Sequence, residues 1–214
     1  PADQLGPIAR DFAMHVKGLE FPAHDPRAFF STAVAYATAN RGACHLAGLT
    51  HALEGALAIP EMGYDHPFDR FAVRGKGIMA AKMQNLMGLF DALKICKFLL
   101  YTGITVSDLA DGLRLVTGWD MAVDGLLQTG ERLFNLKRLY NIRCGIGSSD
   151  DVLPPRALTP LETGGAGGRA PDLEAMRDEY YAFRGWSAGG LPTPAKLKAM
   201  GLGDLSPRRR ATDG

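Results

Sequence analysis

Apolar residues recur along this chain at intervals of three and four, the spacing that puts one face of a helix into a core. The longest such run extends from about Ala72 to Tyr101, with Met79, Met83, Leu86, Leu89, Phe90, Leu93 and Phe98 in helical register. Gly88 interrupts it, at about 1 kcal/mol relative to Ala, and predicts a break near Asp91. Earlier, Ala28, Phe29, Phe30, Ala33, Val34 and Ala37 predict a helix with Asp25 as N-cap and Pro26 in its first turn, ending near Asn40-Arg41-Gly42. A second helix is expected from Cys44 to Leu57, before Pro60. Downstream, Leu109, Leu113 and Val116 follow the capping residues Thr105 and Ser107. After a reset at Gly118-Trp119-Asp120, a long helix carries Leu126, Leu127, Leu133, Phe134 and Tyr140. Leu173, Met176, Tyr180 and Phe183 mark another, near Asp172 to Arg184. No stretch alternates convincingly with a period of two, and no repeat is visible, so the predicted fold is all-α.

Polar and turn-forming residues punctuate these helices. Residues 60–68 read as a loop, and residues 144–170, with CGIGSSDD, LPPR and ETGGAGGRAP, as an extended surface excursion. This divides the chain into a helical domain over 1–145 and a loop-rich part with C-terminal helices over 146–214, packed on the same helical unit. Met62, Met79, Met83 and Met87 are read as core packing.

Composition narrows the functional classes. The 214 residues are 46% hydrophobic, with 24 Lys+Arg against 23 Asp+Glu, so no global field steers the chain to nucleic acid or a membrane surface. The run Arg208-Arg209-Arg210 reads as a solvated tail. No apolar stretch reaches the roughly 18–20 residues that span a bilayer. Pro1-Ala2-Asp3-Gln4 lack a basic n-region and an apolar h-region, so no signal peptide is expected, and without Met they read as the interior of a longer protein. Cys44, Cys96 and Cys144 form no CxxC pair, which argues against a disulfide framework or a self-contained metal site and suits a cytoplasmic protein. Any cysteine that binds metal needs ligands from elsewhere.

Three clusters carry candidate chemistry. Asp91 and Cys96 are five residues apart, about 140° around a continuous helix, so they share a site only if the backbone turns between them. A thiolate is a good iron–sulfur ligand and a carboxylate accepts hydrogen bonds from a polar ring; from spacing alone, the pair reads as a buried structural Cys beside a solvent-facing Asp. In His15-Val-Lys17, an extended backbone would aim both side chains at one ligand, one as acid or base, the other as a donor to anions; the alternative is an exposed polar loop. Asn40-Arg41-Gly42-Ala43-Cys44-His45 sits at a helix-to-helix turn, where Arg41 suits a phosphate, or where the residues serve as a plain capping turn. The glycines match neither a P-loop nor a dinucleotide fingerprint, and no nucleophile elbow is present. His45 and His51 are six apart, not the i, i+4 spacing of a helical zinc pair, so a zinc hydrolase using His15, His45 and His51 is poorly supported.

Taken together, HVKGLEFPAHDPR, AYATANRGACHL, DALKICKF, TGWD, GERLFNLKRLYN, SSDDVLPPR and EYYAFRGWSAGGLPTPAKL occur in an order that resembles the C-terminal half of the aldehyde:ferredoxin oxidoreductase family, from about Phe12 to Leu202. The resemblance implies the multihelical C-terminal domains of that family and a tungsten (or molybdenum) bis-pterin cofactor beside a 4Fe–4S cluster. It implies oxidation of aldehydes to carboxylic acids, with electrons passed to ferredoxin or another electron-transfer protein. It places Asp91 on a pterin, Cys96 as the fourth cluster ligand, His15 on the substrate side, Lys17 on the cofactor, and Asn40 and Arg41 along the cavity. The family motif commonly has Gly two residues before the Cys, where this chain has Lys94. The CxxCxxxC run and the N-terminal domain are absent from the sequence, so that domain is expected as a partner and the chain alone is expected to be inactive. A homo-oligomer is possible. Rival readings are a helical interaction domain of this fold without cofactor, and a relative acting on another substrate such as an aryl-CoA.

Overall fold

The computed structural model describes residues 2–65 and 67–205; His66 and the Arg208–Arg210 run lie outside the described residues. The chain is all-α, with α1 (Ala2–Leu5) and α2 (Pro7–Phe12) followed by a two-residue-per-strand hairpin, β1 (His15–Val16) and β2 (Leu19–Glu20). Then come α3 (Phe30–Thr38), α4 (His45–Gly48), α5 (Thr50–Gly55), α6 (Lys76–Leu93), α7 (Val106–Thr117), α8 (Val123–Arg143), α9 (Leu173–Arg184) and α10 (Pro194–Ala199). The hairpin is too short to leave an alternating pattern in the sequence.

Helix α6 is the central element, packed against α3, α8 and α9. It feeds two cores. Ala80 and Ala81 face a cluster with Phe30, Val34, Tyr36, Phe134, Tyr180 and Trp186. Met79, Met83, Leu86, Met87, Leu89 and Phe90 face a second one with Leu49, Leu53, Val106, Leu109 and Leu126. Two glycines let its neighbours approach: a Cβ on Gly77 would lie 2.4 Å from the Met176 carbonyl of α9, and one on Gly130 of α8 would lie 2.4 Å from the Asn85 carbonyl. The first turn of α6 is closed from outside, because the Gly75 and Gly77 amides each donate to the Glu179 carboxylate at 2.8 Å.

Several boundaries differ from the sequence expectation. The first large helix begins at Phe30, not near Pro26, because Asp25 binds locally: it accepts from the Arg27 amide at 2.8 Å and pairs with the Arg27 guanidinium at 2.7 Å. The expected 44–57 helix is split at Leu49, which turns left-handed at φ 49°. Gly88 stays inside α6, and the break falls at Lys94. The excursion after residue 144 is not wholly at the surface, since Asp151, Leu153 and Ala157 are buried. Helix α7 starts where Thr105 caps it, with a reciprocal bond to Asp108.

Candidate functional site

The end of α6 makes the turn that Asp91 and Cys96 require. Lys94 adopts φ 60° and ends the helix, and the Ile95 amide donates to the Phe90 carbonyl at 3.0 Å in a left-handed cap. Cys96 is then extended, and Lys97–Thr102 forms a short 3-10 turn. Asp91 and Cys96 thereby line one pocket of about 250 Å³ with Arg41, Leu46, Ile95, Lys97 and Phe98. Cys96 is exposed, which removes the reading of a buried structural thiol; Cys44 is the buried one. Asp91 pairs with Lys97 at 2.8 Å and keeps about half of its side chain open, and Lys97 also donates to the Leu46 carbonyl at 2.9 Å.

The turn after α3 delivers the second group. Asn40 and Arg41 line an adjoining recess of about 70 Å³ with Gly88, Asp91, Phe134 and Lys137, so Arg41 and Asp91 border both spaces. Asn40 is held by its amide nitrogen, which donates to the Phe134 carbonyl at 3.2 Å, and by its backbone carbonyl, which accepts from Asn141 at 2.7 Å. Its side-chain oxygen is buried without a hydrogen-bond partner. Arg41, Lys97 and Lys137 set three cations against the one carboxylate of Asp91 around these two spaces, which favours an anionic ligand. Lys137 had no signal in the sequence, because only the meeting of α8 with α6 brings it beside Asp91, whereas Lys97 is turned back onto Asp91 by the bend at Lys94.

His15 and Lys17 line neither space, but their hairpin packs against the same turn. A Cβ on Gly42, at φ 96°, would fall 2.2 Å from the Val16 carbonyl. His15 is exposed, while Lys17 turns at φ 51° and buries its ammonium against Asp151, at 2.7 Å, and the Ala37 carbonyl. The two side chains therefore do not project together, as an extended HxK segment would have them do. Burial lowers the Lys17 pKa, and the Asp151 charge opposes that shift.

Next to Arg41, three imidazoles cluster, with His24 stacked on His45 and tilted by 41° against His51. His24 lies 4.4 Å from His45 and 4.3 Å from His51 between ring centroids. Burial lowers the pKa of His45 and pushes that of His51 down to about 4, with mutual repulsion adding to both shifts. Among the described residues, no three His, Cys, Asp or Glu side chains are arranged to hold a metal ion.

The family model for aldehyde ferredoxin oxidoreductase, domains 2 and 3, matches residues 2–202. The chain belongs to the aldehyde ferredoxin oxidoreductase family. Tungsten-containing aldehyde ferredoxin oxidoreductases of Thermococcus kodakarensis and Pyrococcus furiosus are 33% and 34% identical to it over 199 residues, covering 91% of this chain and 32% of each relative. A P. furiosus aliphatic sulfonate oxidoreductase, WOR-like subunit, is 25% identical over 204 residues, covering 90% of this chain and 28% of that protein. The chain thus spans about a third of the length of these family members. The active-site complex of benzoyl coenzyme A reductase with 1,5-dienoyl-CoA shares the fold, with a TM-score of 0.65 at 19% identity over 95% of this chain and 35% of that one. No helix among the described residues is long and apolar enough to cross a membrane.

Proposed function

We propose that this chain is the helical part of an oxidoreductase that converts aldehydes to carboxylic acids at a tungsten (or molybdenum) bis-pterin centre and passes electrons through a 4Fe–4S cluster to ferredoxin. The observation that carries this reading is the gathering of Asn40, Arg41, Asp91 and Cys96 around two adjoining recesses in a member of the family. The donor set fits such a cofactor: an exposed thiol, a half-open carboxylate, a buried amide oxygen without a partner, and three flanking cations.

Bound there, the metal centre would supply the two-electron oxidation and the cluster a one-electron exit to ferredoxin. The residues of this chain bind and orient. Cys96, as thiolate, would give one cluster ligand, with the other three thiolates coming from the N-terminal domain that the longer relatives lead us to expect. Asp91 would accept a hydrogen bond from a pterin ring N–H, and the Asn40 side-chain oxygen another. Arg41, Lys97 and Lys137 would attract the cofactor's negative charge. Lys17 spends two N–H donors on Asp151 and Ala37 and would have one left for the cofactor. His15, exposed on its hairpin, would take up a proton released as a water oxygen is added to the aldehyde.

Replacing Cys96 by Ser in the complete protein, purified anaerobically, should reduce iron content and abolish or alter the paramagnetic signal of the reduced cluster. An unchanged signal refutes the ligand role. Tungsten or molybdenum at near-stoichiometric content supports the enzyme; absence of both from metal-replete cells favours a helical interaction domain without cofactor.

A further inference from the structure

Three hydrogen-bond donors and one further guanidinium nitrogen, in ion-pair contact, converge on Asp151. Its Oδ1 meets Lys17 Nζ at 2.7 Å and accepts from Arg138 Nη1 at 3.0 Å; its Oδ2 meets Arg138 Nη2 at 2.8 Å and accepts from the Tyr181 hydroxyl at 2.6 Å. The side chains of Lys17, Asp151 and Arg138 are 3%, 0% and 0% exposed. Arg138 is fixed in turn by donating through Nε to the Gly190 carbonyl at 3.0 Å.

Net stability is a poor explanation for such a cluster. Taking each ion out of water costs several kcal/mol, and buried pairs commonly return little more than that. Fixed geometry is the better one. Lys17 also sits at φ 51°, a left-handed conformation that costs a non-glycine residue roughly 1–2 kcal/mol. Both costs fall on the residue in the turn of the β1–β2 hairpin. The Lys17 ammonium also bonds the Ala37 carbonyl, three residues before Asn40, and Gly42 admits the hairpin backbone against the same turn. The hairpin is thus pinned to α3, and through Asp151 to α8 and α9.

We infer that Asp151 is a positioning residue that clamps Lys17 and so holds the His15-bearing hairpin on the Asn40–Arg41 turn. The inference rests on the proposed function for its purpose, since His15 and Asn40–Arg41 matter together only if they border one active site. The clamp is tested without activity. Lys17→Met in the 214-residue chain removes the ammonium but leaves Asp151 bound to Arg138 and Tyr181, so the core keeps its partners. Amide hydrogen exchange over residues 15–21 should accelerate at least tenfold, while α6 and α9 keep their wild-type rates. Local loosening against an unchanged core separates a clamp on the hairpin from a contribution to the stability of the whole core. Unchanged exchange at 15–21, or equal acceleration in α6 and α9, overturns the inference. Asp151→Asn should give the same pattern if it folds; if it does not, Lys17→Met carries the test alone. Loosening of the hairpin combined with an unaltered cluster in Cys96→Ser would sustain the clamp and sink the proposed function instead.

Discussion

Lys94 shows how one residue can depart from a family pattern and keep the shape the pattern encodes. The resemblance places a glycine there, and the structure gives Lys94 the left-handed φ of 60° that glycine adopts without strain. Its side chain is exposed, so it gains no packing in return. Lys94→Gly should therefore stabilise the chain by about 0.5–1 kcal/mol, the relief of strain being partly offset by the greater freedom of glycine in the unfolded chain. A thermal melt reads this as a rise of a few degrees; no rise, or a fall, would show that the Lys94 side chain makes a contribution its exposure conceals. Sequence alone could flag Lys94 as bulk and charge in an awkward place. The backbone conformation that explains the awkwardness is invisible until φ is known.

At the scale of elements, the long helices were legible because their apolar spacing is strong, and α7 also because Thr105 and Asp108 spell its cap. The misplaced boundaries come from local backbone and side-chain geometry that no spacing rule foresees. Asp25 turned to Arg27 rather than capping a helix, and Leu49 took a left-handed turn that split α4 from α5. That split also places His51 against His24 and near His45. The fold gathers the sequence candidates Asp91, Cys96, Asn40 and Arg41 around two recesses, while Lys97 is turned back onto Asp91 by the bend at Lys94, and Lys137 and Asp151 reach their places only through helix packing. The clustered imidazoles carry a pH prediction. The pKa of His51 is about 4 in the folded chain against an ordinary 6.5, so between these values the unfolded chain binds more protons. The contribution of neutral His51 is full above about pH 6.5 and is lost as the pH falls toward 4. Melting temperature should drop between pH 7 and pH 5, and His51→Gln should flatten that slope; a variant with the wild-type slope would place the titration elsewhere.

For the whole molecule, the decisive question is what lets three long helices come close enough to share one polar interior. Arg184 of α9 is fully buried and donates to the Asn85 side-chain oxygen of α6 at 2.5 Å and to Gln84 at 3.1 Å, while Gly130 of α8 brings its backbone against the Asn85 carbonyl. A methyl group on Gly130 would lie 2.4 Å from that carbonyl oxygen, so α8 or Asn85 must move, and Asn85 carries the Arg184 bond with it. Overpacking of this kind typically costs 1–3 kcal/mol, and loss of geometry around a buried cation puts Gly130→Ala at the upper end, about 2–3 kcal/mol. For a chain of this size that is a drop in Tm of roughly 5–10 °C. Gly112 in α7 supplies the control, because a Cβ there meets nothing within 4 Å. Gly112→Ala should stabilise by up to about 1 kcal/mol through helix propensity alone. Opposite signs for two Gly→Ala changes in helices of one chain would assign the loss to the α6–α8 approach. If both changes stabilise, α8 can shift at little cost, and the recess bordered by Asn40, Asp91 and Lys137 is correspondingly less rigid than the packing implies.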